Sequence, residues 1–200
     1  MRKVFITVGL LPFIVGSALA SEPGQSPSSQ DTTPVENPEP LQYSEVVEVA
    51  GTTKHELYSR ASLWFAETFN SANDVLQLKD ESEGRLVGKG VIWYEPKGIT
   101  GSEPIRGPVR FTTKVSVKDG RYKYEFCDFM HEGNPAATYG AISFGLVTTS
   151  STAPKVGVGA SKGWRVKKWN EIKATIDTHV AALVLSLKAA MAAGAAEDDW

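Results

Sequence analysis

The sequence predicts an α+β fold in two layers: one antiparallel sheet with two helices packed on a single face. Three observations carry that reading. Residues Val109 to Phe129 form two alternating strands joined at Asp119-Gly120, and Asp-Gly between alternating apolar residues is a strong hairpin signal because both turn residues are expected at positive φ. Two stretches, one early and one late, repeat apolar residues at helical spacing. The strands alternate apolar with polar residues, so one sheet face is wet and both helices belong on the other.

The first twenty residues read as an export signal. Arg2 and Lys3 form a basic start, Val4 to Val15 an apolar run, and Ala18-Leu19-Ala20 a small-residue cleavage pattern. The run of about 12 residues suits a signal and is too short to span a bilayer. Cleavage is expected after Ala20, leaving a periplasmic or secreted protein with no transmembrane anchor. No Cys sits just after the cleavage point, which argues against a lipoprotein. Residues 21–41 hold Pro23, Pro27, Pro34, Pro38 and Pro40. Such a segment cannot bury enough apolar surface to order itself and is expected to be a disordered linker.

Residues 42–193 are expected to form one domain, long enough for a proper core. Tyr43 to Val49 reads as a strand with Val47 and Val49 on one face. Thr53-Lys54-His55-Glu56 matches a capping box, and the helix after it, to about Ser71, buries Leu57, Ala61, Trp64, Phe65 and Phe69. Val75 to Lys79 is the second strand, residues 80–84 its turn, and Leu86 to Tyr94 the third strand. Gly88 and Gly90 share one side of that strand and suggest a bulge or a close backbone approach. Residues 95–108 read as a loop.

In the fourth strand Val109, Phe111, Thr113, Val115 and Val117 face inward. In the fifth, Tyr122, Tyr124, Phe126 and Met130 alternate with Lys123, Glu125 and Cys127. Residues 133–163 form a Gly- and Ser-rich insertion in which Ile142, Phe144 and Leu146 suggest an extra strand. A closing helix, Lys168 to Ala193, tracks Trp169, Ile172, Ile176, Val180, Leu183, Leu187 and Met191 down one face. Gly194 is a stop signal, and residues 194–200 are an acidic tail. The order is β-α-β-β-β-β-α.

Composition narrows the function classes. The formal net charge is -2, and loss of Arg2 and Lys3 leaves about -4. A weakly acidic exported protein has no global electrostatic attraction to nucleic acid. Cys127 is the single cysteine, so no intrachain disulfide forms and packing alone holds the domain.

Certain strings resemble a bacterial family, a domain of unknown function with a TATA-binding-protein-like fold. They are Tyr43-Ser-Glu-Val-Val-Glu-Val49, Leu63-Trp64-Phe65, and above all Val117-Lys-Asp-Gly-Arg-Tyr-Lys-Tyr-Glu-Phe-Cys-Asp-Phe-Met-His131, with Lys168-Trp169 opening the last helix. The resemblance covers residues 42–132 and 164–191. It implies a TBP-like α+β domain in an exported bacterial protein and supplies no catalytic residues.

No residues form a catalytic, cofactor or metal set. Cys127 and His131 invite a thiol-nucleophile reading, but four extended residues separate them by about 13 Å, against the roughly 3 Å that a nucleophile–base hydrogen bond needs. Cys127 reads as a small residue on or near the sheet surface, and His131, after Asp128, as a polar strand-end residue. His55, His131 and His179 are the only histidines, and with one Cys they make no zinc pattern. Gly157-Val-Gly-Ala-Ser-Lys-Gly163 and Gly84-Arg-Leu-Val-Gly-Lys-Gly90 both depart from phosphate-loop spacing.

Trp64, Trp93, Tyr94, Tyr122, Tyr124, Phe126 and Trp169 are expected mostly in the core. Arg110, Lys114, Lys118, Lys123 and Glu125 belong to the wet face as solubility devices. The expected function is non-enzymatic binding of an envelope protein or a small apolar ligand, through the sheet face or the helix–sheet cleft. Neither cofactor nor nucleic acid is expected. A structural or assembly role in the envelope is the alternative, and a hydrolase around His131 or Asp128 a third. A cavity of about 300 Å³ or more at the helix–sheet interface favours a binder.

Overall fold

The computed structural model describes residues 38–69, 76–98, 102–157 and 159–193. The expected signal, most of the linker and the acidic tail lie outside these residues. So do Ser71 and Val75, the expected end of the first helix and start of the second strand.

Among the described residues, six strands and two α-helices follow in the order β1 (Tyr43–Glu48), α1 (Lys54–Thr68), β2 (Leu76–Asp80), β3 (Arg85–Tyr94), β4 (Gly107–Lys118), β5 (Arg121–His131), β6 (Gly145–Leu146) and α2 (Lys162–Ala192). The sheet is antiparallel, in the order β1-β5-β4-β3-β2, with β6 added beside β5. This is the expected α+β architecture with one more strand. The alternation of Ile142, Phe144 and Leu146 becomes a strand only at Gly145–Leu146, because Phe144 is buried against Trp169 and His131 instead of continuing a ladder.

Both helices lie on the apolar face. From α1, Leu57, Ala61, Trp64 and Phe65 are buried; from α2, Trp169, Ile172, Ile176, Val180, Leu187 and Met191. They join Leu86, Ile92, Phe111, Val115, Tyr122 and Phe126 of the sheet in one core. The two helices run antiparallel: Trp64 Nε1 donates to Ser186 Oγ at 2.9 Å, and the Arg60 guanidinium to the Met191 carbonyl at 2.8 Å.

The capping box forms as expected, with Glu56 N–H donating to the Thr53 hydroxyl and Thr53 N–H to the Glu56 carboxylate. α2 starts six residues before the expected Lys168, since Ser161 accepts from Trp164 N–H and supplies an earlier cap. By length and composition α2 is apolar enough to cross a bilayer, yet here its apolar stripe is packed on the sheet.

The hairpin turn departs from expectation. Gly120 has φ 74°, but Asp119 is not in the left-handed region. Instead the Asp119 carboxylate accepts the Lys54 N–H at 2.7 Å, and Gly120 N–H donates to the Thr52 carbonyl at 2.9 Å. The turn is thus docked on the start of α1. Gly90 is needed for close approach: a Cβ there would lie 2.3 Å from the Phe111 ring of the neighbouring strand.

Met130 does not follow the expected inward alternation. Arg110 and Thr112 of β4 pair with Met130 and Cys127 of β5, so three steps on one strand oppose two on the other. Asp128 is the extra residue, with φ 58°, a conformation that Asp tolerates better than most residues. Beyond it Phe129 and His131 turn inward and Met130 outward. At the same point β5 exchanges its edge partner: β1 pairs as far as Phe126, and β6 takes Met130 and His131. Residues 39–41, the end of the expected linker, pair with 147–149 through Leu41 N–H to Val147 O and Thr149 N–H to Glu39 O.

Candidate functional site: the open sheet face

The helices leave the opposite side of the sheet open, and the strand registers divide it into rows. At one end Val91, Arg110, Met130 and Leu146 align across β3, β4, β5 and β6. Trp93, opposite Pro108, stands beside this row. Trp93 is 58% exposed; it belongs to the open face and not to the core, correcting the expected aromatic inventory. Gly90, Ile92 and Tyr94 take the inward positions of β3, so Val91 and Trp93 must point out. Val91, Trp93, Met130 and Leu146 form an apolar end with Arg110 among them, its guanidinium 3.2 Å from the Glu132 carboxylate.

Polar rows follow. Lys89 reaches across to the Thr112 hydroxyl at 2.7 Å, with Cys127 next in register. Glu125 lies between Lys114 and Lys123, at 3.9 and 2.8 Å. The far end is basic: Ser116, Lys118, Arg121, Tyr122, Lys123 and Val46 line a groove of about 290 Å³. The expected wet-face residues Arg110, Lys114, Lys118, Lys123 and Glu125 all lie on this side.

Cys127 and His131 sit on opposite faces of the sheet. The thiol lies on the open side, shielded to 6% exposure and 3.5 Å from the Asp128 carboxylate. Burial first, then that neighbouring negative charge, pushes its pKa up, with Lys114 opposing only in part. Such a thiol is protonated and a poor nucleophile.

His131 is fully buried. Its Nε2 donates to the Ile105 carbonyl at 2.9 Å and its Nδ1 accepts the Phe144 N–H at 3.1 Å, which fixes a neutral tautomer. Burial depresses its pKa, with Ile105 and Glu132 opposing. Rather than a polar strand-end residue, it is a clamp that fastens the insertion and the 103–105 turn to β5.

The remaining histidines are apart. His55 pairs with Glu81 on the surface, and His179 bonds back to the Thr175 carbonyl within α2. Among the described residues, no three His, Cys, Asp or Glu are grouped to hold a metal. Gly84 occupies the β2–β3 turn, and the 157–163 string leads into the Ser161 cap.

Two further places lie on the helix side. A cleft of about 330 Å³ opens between the end of α1, the middle of α2 and β3, lined by Phe69, Ile92, Phe111 and Leu183 with Thr68, His179 and Ser186 at its polar positions. A polar cluster missed by the sequence reading joins Tyr94, Glu171 and Lys168. Glu171 Oε2 accepts from the Tyr94 hydroxyl at 3.0 Å and from Lys168 at 2.8 Å, and Lys168 also donates to the Lys97 carbonyl. Burial pushes the Glu171 carboxyl up, but the bonds from Lys168 and Tyr94 outweigh it and its pKa falls. The i, i+3 spacing of Lys168 and Glu171 was the readable signal. Since Lys168 is itself buried and ties the 95–98 segment to α2, the cluster acts as a tether.

Solved structures share the fold. A DUF4468 family protein from Bacteroides ovatus matches with a TM-score of 0.57 at 14% identity, covering 79% of this chain and 90% of that one. A TBP-like protein from Parabacteroides distasonis matches with a TM-score of 0.52 at 12% identity, covering 74% and 93%. No curated protein matches the chain. Residues 43–132 match the family model of the domain of unknown function (DUF4468) with TBP-like fold.

Proposed function

We propose that the chain is an exported, non-enzymatic binding module that docks a protein partner on the apolar end of its open sheet face. One observation carries this reading. Val91, Trp93, Met130 and Leu146 are exposed together on a face that neither helix covers, in rows fixed by register. Isolated exposed apolar residues need no explanation, but a contiguous group rimmed by charge marks an interaction surface.

The partner is a protein surface with an apolar ridge beside carboxylates. Lys89 has no carboxylate partner among the described residues, and its ammonium holds only the Thr112 hydroxyl beside the patch. Arg110 adds a second cation there. Residues 1–20 support export, which places the partner in the cell envelope or beyond. The separation of Cys127 from His131 removes the one thiol–imidazole pair and supports a binding role over a hydrolytic one.

A test is co-purification of the chain with its neighbours at low and high salt. A specific partner should be lost on Trp93→Ser, and lost with salt or on Lys89→Glu. A partner retained by both variants would refute the reading.

The cleft supports a second reading, a small apolar ligand. Its volume of about 330 Å³ reaches the lower range of ligand sites, about 300 Å³. Phe69, Ile92, Phe111 and Leu183 would take the apolar part. Fatty acids of graded length, added to the protein in thermal-shift assays, test it: binders raise the melting temperature, and no shift at any length contradicts it.

A further inference from the structure

We propose that a pocket between the end of β3 and α2 binds a compact zwitterion, a free α-amino acid. The cavity holds about 250 Å³; Tyr94 and Lys97 stand on one wall and Glu171, Thr175, Thr178 and His179 on the other. Glu171, Thr175 and Thr178 are four and three residues apart, so they form one column on α2. Tyr94 is buried beneath them, while Lys97, Thr178 and His179 are exposed at the rim.

The hydrogen-bond polarity of the pocket is one-sided. Thr175 donates its hydroxyl to the Glu171 carbonyl at 3.0 Å, Thr178 to the Ala174 carbonyl at 2.9 Å, and His179 Nδ1 to the Thr175 carbonyl at 2.8 Å. The Tyr94 hydroxyl is committed to Glu171 Oε2. Each side chain has thus used its proton, and the hydroxyl oxygens and, in the neutral ring, His179 Nε2 are left as acceptors. Glu171 Oε1 has no hydrogen bond among the described residues, because Tyr94 and Lys168 both take Oε2. A wall of acceptors calls for a donor-rich group, and an ammonium brings three N–H bonds.

Charge selects a ligand with both signs. Lys168 balances Glu171 at 2.8 Å and Arg106 balances Glu95 at 3.0 Å, whereas Lys97 has no ion pair among the described residues. A plain amine would meet the Lys97 charge, and a plain anion would meet a wall without donors. A zwitterion satisfies both. Its charges must lie close together, because the Lys168 ammonium bonds both the Lys97 carbonyl at 2.7 Å and Glu171 Oε2 at 2.8 Å, which sets the Lys97 backbone beside the Glu171 carboxylate. An α-amino acid has that spacing, with one carbon between amine and carboxylate. Its side chain would run along α2 past Ala174 toward Thr178 and His179. The volume falls just below the roughly 300 Å³ at which pockets for larger ligands begin. Tyr94 and Trp93 point to opposite sides of the sheet, so this site and the docking face stand or fail independently.

The test is titration of the full chain with each of the protein amino acids, followed by backbone amide NMR, with acetate and methylamine as half-ligands. At least one amino acid should give saturable shifts centred on Lys97 and on Ala174 to His179. Acetate and methylamine should each bind at least about tenfold more weakly, since each forfeits one charge-assisted set of bonds. Lys97→Met should weaken amino-acid binding about tenfold and Thr175→Val about fivefold, with the remaining amide signals showing both variants folded. No saturable shift with any amino acid overturns the assignment. So does acetate or methylamine binding as tightly, or an affinity unmoved by either substitution. Shifts centred instead on Lys118 and Arg121 would also overturn it, by placing the ligand on the open face.

Discussion

Cys127 and His131 face opposite sides of β5 because Asp128 inserts one extra residue between them. Four residues along an unbroken strand would put both side chains on one face. The bulge reverses the parity, sends the imidazole into the core with Phe129, and turns Met130 out to the apolar patch. A single left-handed residue therefore dismantles a candidate dyad and builds part of a candidate interface.

Asp128→Gly should leave stability within about 1 kcal/mol of the parent, since glycine adopts positive φ freely. Asp128→Val should cost about 1–2 kcal/mol or more, because a β-branched residue resists that conformation. Urea titrations of both variants check the pair. Equal stability of the two would mean that the bulge is not held by Asp128.

Gly90→Ala should destabilise by about 1–3 kcal/mol as the new methyl meets the Phe111 ring. In the double variant with Phe111→Leu, the cost of the alanine should shrink, since the smaller side chain gives way. Additive costs in a double-mutant cycle would contradict the close approach.

His131 should give a pH-dependent stability of definite sign. Its folded pKa is depressed by burial, so below the unfolded value of about 6.5 the unfolded chain binds the proton more readily. Its contribution is fully present above that pH and declines, by up to about 1.4 kcal/mol per unit, as pH falls toward the folded value. His131→Gln should flatten this slope between pH of about 6.5 and the folded pKa. An unchanged slope in the variant would show that other groups carry it.

Asp119→Ala should cost about 0.5–2 kcal/mol by stripping the Lys54 N–H of its acceptor. Asp119→Asn should recover part of the loss, because its side-chain oxygen can still accept. Denaturant midpoints of the two variants test the docking of the hairpin on α1.

Strand alternation, helix stripes and the Thr53–Glu56 box were readable in the sequence because each depends on neighbours within four residues. From Leu57 to Phe65, and from Trp169 to Met191, the stripe and the buried face coincide except at Leu183, which is only partly buried. What escaped depends on partners far along the chain. Asp119 has negative φ because Lys54, distant in sequence, takes its carboxylate. His131 is core because Ile105 supplies an acceptor and Phe144 a donor. The strand parity at Tyr94, Ile92 and Gly90 could have placed Trp93 outside, but aromatic residues alone suggested core. The bulge at Asp128 left no local signature, and with it went the orientation of Met130 and the open-face row.

The most direct test of the proposed docking face is a photo-cross-linking amino acid at Trp93, set against the same label at Thr178 on the exposed side of α2, in cells that make the protein. A discrete protein adduct at Trp93 that is absent at Thr178, and lost on Lys89→Glu with Arg110→Glu, is the expected result. No adduct at Trp93, or one formed equally at Thr178, would contradict it.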